Sequence, residues 1–373
     1  MTMRTSIRNV LAASAACALA LGATACGGND PSSSASGSTG SSGGVTGGTI
    51  NGAGATFPLP VYQEWAANFK DTYGTAVNYQ GVGSGEGIAQ FTAGTVDFGA
   101  TDSAMKDEEV TAAKAKGEPV HVPSVFGAVT VSYNAKGVQK GLKLDGATVA
   151  DIFLGKIKTW GDPALKKDNP GVTLPSGNIT VCHRSDESGT TKLFTTYLAA
   201  YSKEWESGPG VDKSVKWPTG TGAKGNDGVA ACIKQNDGSV GYVEQAYALA
   251  NNFTFASLKN KAGQFIEPTL ESTSAAGEGL EVPADLRFTA IDAPGEKAYP
   301  IASATFLLVY QDMCKAGVAK DKAQRVKLWL DYALGDGQKV APELQYAPLP
   351  DAVHTKALEK VKGLQCDGQA LGA

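Results

Sequence analysis

From Thr49 onward the chain alternates between two apolar spacings. In "TAVNYQGVG" Val77 and Tyr79 flank a polar residue, the two-residue period of a half-buried strand. In "LPVYQEWAANFKDTYG" Val61, Trp65 and Phe69 recur every fourth residue, which lays one apolar stripe along a helix. Upstream of that helix "GTINGAG" is extended and turns through Gly52 and Gly54. "TVDFGATD", "SVFGAVTVSYN", "NITVCHR", "GSVGYVE" and "ATFLLVYQD" read as strands, several of them rich in β-branched and aromatic residues. "SGEGIAQFTAG", "TVADIFLG", "TKLFTTYLAAYSKEW", "DGVAACIKQN" and "KAQRVKLWLDYALG" read as helices. In the last, Val326, Trp329 and Leu330 share a face and Gly335 stops it. Short strands alternating with helices predict an α/β fold with largely parallel sheets.

Before Thr49 the pattern disappears. Residues 27–48 hold no large apolar residue except Val45, so they cannot bury a core and read as a flexible tether. Arg4 and Arg8 precede "VLAASAACALALGA", an apolar run too short to span a bilayer comfortably. It ends in "LGATAC", which resembles a bacterial lipobox, although Ala23 stands where Leu is preferred. The expectation is a signal peptide over 1–25, lipidation at Cys26, and a tether over 26–48. Cys17 is a weaker candidate, because cleavage there leaves a very short apolar run. The alternative is an ordinary secretion signal with an unmodified cysteine.

At 373 residues the chain is long enough for two domains. Its net charge is −4, and −6 once Arg4 and Arg8 are removed (−4 − 2). With a pI near 5.5 and no basic run, nothing favours a nucleic-acid partner. Beyond the leader stand Cys182, Cys232, Cys314 and Cys366. Three pairings are open. The expectation is Cys182–Cys232 and Cys314–Cys366, each closing a loop of roughly 50 residues and contributing about 4 kcal/mol by chain entropy. With no CxxC and no Cys/His cluster, neither a metal nor a cofactor is expected.

"GAGATFP" (52–58), "GSGEG" (83–87) and "SGTTKLF" (188–194) each place Gly, Ser or Thr at a helix start. Unpaired N–H groups there attract an anion, although Ser and Thr also serve as plain caps. "HRSDESGTT" (183–191) mixes donors, Arg184, Ser188, Thr190 and Thr191, with the acids Asp186 and Glu187. Other motifs fail. "GVGSGEG" has Glu86 where a dinucleotide fingerprint needs its third Gly, and Val82 spoils a nucleophile elbow. His183 lies close to Ser188, but a hydrolytic pair also needs a third partner and an oxyanion hole.

"GAGATFPLPVYQEW", "VNYQGVGSGEG", "VDFGATD", "HRSDESGTT", "KGNDGVA", "GSVGYVEQAYA", "YPIASATFLLV" and "YAPLPDAV" together resemble the phosphate-binding proteins of phosphate-specific ABC transporters. The resemblance spans nearly the whole mature chain, in the family's order. It implies the periplasmic-binding-protein fold: two α/β lobes, joined by a hinge, closing on dehydrated phosphate. It implies phosphate ligands at Thr56, Phe57 (through its N–H), Ser84, Asp102, Arg184, Ser188, Gly189 and Thr190, with Asp186 supporting Arg184. Asp102 would accept the proton that phosphate carries and sulfate lacks, although Asp after a strand is also a common turn residue. Glu187 departs from the family, where Gly is frequent. Trp160 and "KGNDG" look structural and receive no ligand role.

The expected protein is therefore an extracytoplasmic, lipid-anchored monomer that delivers inorganic phosphate to membrane permease subunits and catalyses nothing. Lobe I would comprise 49–125 and 301–373, and lobe II 126–300. The alternatives are binding of sulfate or another oxyanion, a phosphatase-like enzyme, or an adhesin on the same scaffold.

Overall fold

The computed structural model describes residues 47–138 and 140–372. The leader, Cys26 and the tether up to residue 46 lie outside the described residues. No helix among the described residues is long and apolar enough to cross a membrane.

Among the described residues, nine strands form the main sheet. In one wing β1 (Thr49–Gly54) lies between β2 (Ala76–Gly81) and β3 (Phe98–Thr101), all parallel. β4 (Pro119–Asn134) follows and is buried almost throughout. In the other wing β5 (Thr180–Arg184) lies between β6 (Thr221–Ala223) and β7 (Ser239–Glu244), again parallel. β8 (Ala302–Tyr310) returns to the centre, giving the order β2-β1-β3-β8-β4-β7-β5-β6. The short strand Thr254–Phe255 pairs with β4 off this path.

Each wing is parallel, as the helical crossovers predict. The centre is antiparallel: β8 opposes β3 and β4, and β4 opposes β7. The reason is traffic between wings, since β4 carries the chain out and β8 carries it back. β4 changes partner along its length. Pro119–Ala128 pair with β8, and Val129–Asn134 pair with β7.

Helices leave the carboxyl ends of the parallel strands. β1 leads to α1 (Leu59–Tyr73) and β2 to α2 (Ser84–Ala93). α3 (Asp107–Ala113) follows β3. β5 leads to α4 (Gly189–Tyr201), β6 to α5 (Gly225–Gln235) and β7 to α6 (Gln245–Ala250). α1 starts on a proline-bearing first turn, buries Val61, Trp65 and Phe69, and ends at Gly74 in the left-handed conformation. Its Trp65 packs edge-on against Trp329 of α7 (Lys320–Leu334), with ring centroids 6.1 Å apart. Trp65 Nε1–H donates to the Gly337 carbonyl. The long helix expected over "TKLFTTYLAAYSKEW" splits. Ser202 is extended and its hydroxyl accepts from Trp205 N–H, starting a separate turn, Lys203–Ser207. A serine able to cap competes with continuing the helix.

α2 lies very close to β1. A Cβ on Gly87 would stand 2.3 Å from Gly54 Cα, so the approach requires glycine there. The wings also meet through charge. α3 and its capping Lys106 pair with residues 212 and 213: Lys106 with Asp212 at 2.7 Å, and Glu109 with the buried Lys213. The irregular segment 277–300 lies against the first wing, with Arg287 donating to the Met105 carbonyl and Phe288 against Phe306.

Both expected disulfides are present, with Cα–Cα distances of 6.0 Å for Cys182–Cys232 and 4.7 Å for Cys314–Cys366. Cys182–Cys232 ties β5 to α5 inside a small buried cluster with Val229, Ile233 and Val243. It closes 50 residues of sequence, so its loss in Cys182→Ala/Cys232→Ala should lower the unfolding free energy by about 4 kcal/mol. Urea unfolding of both forms measures this. A loss below about 1 kcal/mol would show that packing alone holds α5 on β5.

Candidate functional site

Four helix starts converge where the wings meet: those of α1, α2, α4 and α5. Three of them carry the stretches singled out in the sequence, and hydrogen bonds join those stretches across the molecule. Gly189 N–H donates to Ser84 Oγ at 3.0 Å, linking α4 to α2. Asp102 N–H, at the end of β3, reaches the same oxygen at 3.3 Å. A Cβ on Gly189 would lie 2.6 Å from Ser84 Oγ and 2.7 Å from Asp102 Cβ, so no larger residue fits while these groups touch.

The hydroxyls are polarised by their partners. A hydroxyl offers one proton and two lone pairs. Ser84 Oγ already accepts two N–H bonds, so its own proton is left to point elsewhere. Thr56 Oγ1 is in the same position: it accepts from Asn226 N–H at 3.1 Å and Asn226 Nδ2–H at 2.9 Å. Both side chains are thereby turned into donors. Thr190 Oγ1 donates to Asp102 Oδ2 at 3.2 Å and accepts from Arg184 NH1 at 3.4 Å. Ser188 caps α4, its hydroxyl accepting from Thr191 N–H at 3.1 Å. Phe57 is fully buried, and its carbonyl accepts from the Tyr346 hydroxyl at 2.7 Å.

Asp102 is the acceptor in this collection. It is 1% exposed, and burial pushes its carboxyl from the ordinary 3.8 up to about 7. Arg184 and the hydroxyls of Thr305 and Thr190 hold it from rising further. Arg184 does not neutralise Asp102, because Asp186 already claims it. Arg184 Nε and NH2 donate to Asp186 Oδ1 and Oδ2 at 2.7 and 2.6 Å, a two-pronged pair. Burial opposes ionisation of Asp186, yet the guanidinium outweighs it and holds the carboxyl below its ordinary value. Gly225 N–H adds a third bond to Asp186 at 3.1 Å.

Glu187 lies outside the cluster. It is exposed, its carbonyl accepts from Gly85 N–H at 3.0 Å, and its side chain lies over Gly85 at the start of α2. A carboxylate suits that positive helix end. His183 is not aimed at Ser188. Its ring stacks on Trp217 at 4.7 Å and its Nδ1 meets the Arg184 carbonyl at 2.9 Å. Asn226, within the "KGNDG" given no ligand role above, belongs to this cluster. It is fully buried, it holds Thr56, it reaches Thr190 Oγ1 at 3.4 Å, and its Oδ1 accepts from Glu244 N–H. The available signal was "KGNDG", a fourth glycine-bearing helix start like the three already noticed. Trp160 is structural, donating to the Gly238 carbonyl at 3.0 Å.

A family model described as the PBP superfamily domain matches residues 37–336. The phosphate-binding protein PstS of Pasteurella multocida is 43% identical over 328 residues, covering 87% of this chain and 93% of that one. The phosphate-binding protein PstS of Haemophilus influenzae is 44% identical over 313 residues, covering 82% and 91%. The chain belongs to the PBP superfamily, among the PstS phosphate-binding proteins. The PBP fold is shared by a solved high-affinity periplasmic phosphate-binding protein bound with phosphate at pH 8.5. The TM-score is 0.68 at 24% identity, covering 87% of this chain and 96% of that one. The two wings and the central antiparallel strands are those of the two-lobed PBP fold.

The raised Asp102 carboxyl has a thermodynamic consequence. A folded-state value above the unfolded one means that protons bind the native state more tightly. The associated stability is complete below about 3.8 and is lost as pH rises through about 7. The loss amounts to about 4 kcal/mol. Asp102→Asn cannot ionise and should escape it. In phosphate-free buffer the variant should gain about 3–4 kcal/mol on wild type between pH 4 and pH 8, read by urea unfolding. Parallel profiles for the two proteins would mean that Asp102 ionises in the fold as freely as in water.

Proposed function

We propose that this protein captures inorganic phosphate outside the cytoplasmic membrane and delivers it to the permease of an ABC importer. The observation that carries the proposal is the imbalance of the site. Thr56 and Ser84 are turned into donors by bonds they already accept, while Asp102 is a buried acceptor beside a guanidinium already paired with Asp186. Phosphate at neutral pH carries oxygens for the donors and a proton for Asp102. Sulfate has the shape but no proton, so its oxygen would face the ionised carboxylate with no hydrogen between them, and taking it up would require Asp102 to bring a proton of its own. The names of the PstS relatives, and the phosphate bound in the structural neighbour, support the same ligand.

On this reading Thr56, Ser84, Ser188 and Thr190 donate through hydroxyls, Phe57 and Gly189 through backbone N–H groups, and Arg184 through its guanidinium. Asp186 holds the Arg184 fork. Ligand entry exchanges the Gly189–Ser84 and Thr190–Asp102 bonds for bonds to phosphate, and Ser84 keeps the bond it accepts from Asp102 N–H, with its proton free for the ligand. Lobe I is 49–125 with 301–373, lobe II is 126–300, and the hinge lies on β4 and β8, where β4 changes partner. The function is capture without chemistry, by a monomer.

Calorimetry with both anions tests the ligand and the role of the acid. Asp102→Asn should lower the phosphate-to-sulfate affinity ratio by about 10-fold or more, which is about 1.4 kcal/mol. Arg184→Ala should weaken both anions and leave the ratio nearer to wild type. An unchanged ratio in Asp102→Asn would reduce Asp102 to a turn residue.

We also propose a lipid anchor at Cys26, supported by "LGATAC" and the Ser/Gly-rich stretch after it. Cys26→Ser should appear in the medium or remain unprocessed. Its retention in washed membranes as a processed chain would exclude this cysteine as the anchor.

A further inference from the structure

Tyrosine hydroxyls hold three successive carbonyls just before α1. Tyr79 donates to the Ala55 carbonyl at 2.6 Å, Tyr247 to the Thr56 carbonyl at 2.6 Å, and Tyr346 to the Phe57 carbonyl at 2.7 Å. Tyr79 belongs to β2, in the same wing as the segment it holds. Tyr247 belongs to α6, directly after β7 of the other wing. Its bond to Thr56 therefore spans the junction between wings, as do the two bonds from Asn226 to the Thr56 side chain.

A trans peptide is planar, and its N–H points opposite to its C=O. Holding the Thr56 carbonyl therefore sets the direction of the Phe57 N–H. A hydrogen bond at the carbonyl also polarises the amide, which strengthens the N–H as a donor. Asn226 does the equivalent for the Thr56 hydroxyl by occupying both of its lone pairs. Two donors of the first wing are thus aimed by side chains of the second.

We infer that Tyr247 is a positioning residue for ligand binding. The Thr56 carbonyl already accepts from Leu59 N–H at 3.2 Å within the first wing, and the Tyr247 hydroxyl adds a second, shorter bond that fixes and polarises the Phe57 N–H when the wings are together. The donor geometry at Thr56–Phe57 is then completed by closure. This inference rests on the reading of the cluster as the phosphate site.

The Tyr247 ring packs in the small buried cluster with Val229 and Phe255. Tyr247→Phe keeps that packing and deletes only the hydroxyl. Phosphate binding is measured by stopped-flow and calorimetry on wild type and variant. The expected result is about 10-fold weaker binding, carried by faster dissociation with an association rate within about 2-fold of wild type. The ligand-free melting temperature should stay within about 2 °C of wild type. In ¹⁵N-labelled wild type the Phe57 amide proton should shift downfield on adding phosphate, and the shift should shrink in the variant. Equal affinities within 2-fold would overturn the inference while leaving phosphate binding intact. A weaker variant whose ligand-free melting temperature falls by more than about 5 °C would also overturn it, as a structural effect. A Phe57 amide that ignores phosphate in wild type would overturn it without any variant. A wild type that takes up no phosphate would instead sink the functional reading on which it rests.

Discussion

An acid sealed from water next to an already paired guanidinium is the constraint around which this protein is arranged. Asp102 cannot be hydrated where it lies, and Arg184 is committed to Asp186. Its carboxyl is therefore pushed up to about 7, an energetic cost that the rest of the fold offsets. Neighbouring hydroxyls complete the pattern. Ser84 and Thr56 each accept two N–H bonds, which leaves them only protons to offer. Donors face the Asp102 carboxylate because the lone pairs of the Ser84 and Thr56 hydroxyls are already taken.

The sheet explains how such groups meet. Parallel strands deliver their helices from one edge, so the starts of α1 and α2 in one wing lie along an edge matched by α4 and α5 in the other. β4 and β8 run between wings and keep the two edges in register. Close approach does the rest. Gly87 sits against Gly54 and Gly189 against Ser84 and Asp102, at distances that exclude a side chain. Cys182–Cys232 braces the strand that ends in Arg184. Bonds from Asn226 and Tyr247 cross the same junction to Thr56, so the first wing's donors depend on the second wing for their direction.

Much of this was legible along the chain, and the reason is local. A four-residue recurrence such as Val61, Trp65 and Phe69 marks a helix face wherever it occurs, and the β-branched run through β4 marks a buried strand. Glycine, serine and threonine at helix starts announced donors, and an even set of cysteines beyond residue 48 announced bridges. What nearest neighbours decide can be read from neighbours. The split of the helix at Ser202 shows the limit of that rule, since a serine able to cap competes with continuation and the new turn buries Trp205.

Tertiary structure alone decided the rest, because it depends on groups far apart in sequence. The antiparallel centre follows from which wing β4 and β8 connect, not from their composition. Asn226 carries only the mark of a glycine-bearing helix start, yet it meets Thr56 across 170 residues and turns a hydroxyl into a donor. Tyr247 reaches the same residue across 191. Glu187, which in sequence sits among the donors, is turned out to solvent over Gly85 by the start of α4. The order of residues determined which donors and acids the protein owns. Only the folded chain determined which lone pairs are already spent, and hence which groups remain to receive a ligand.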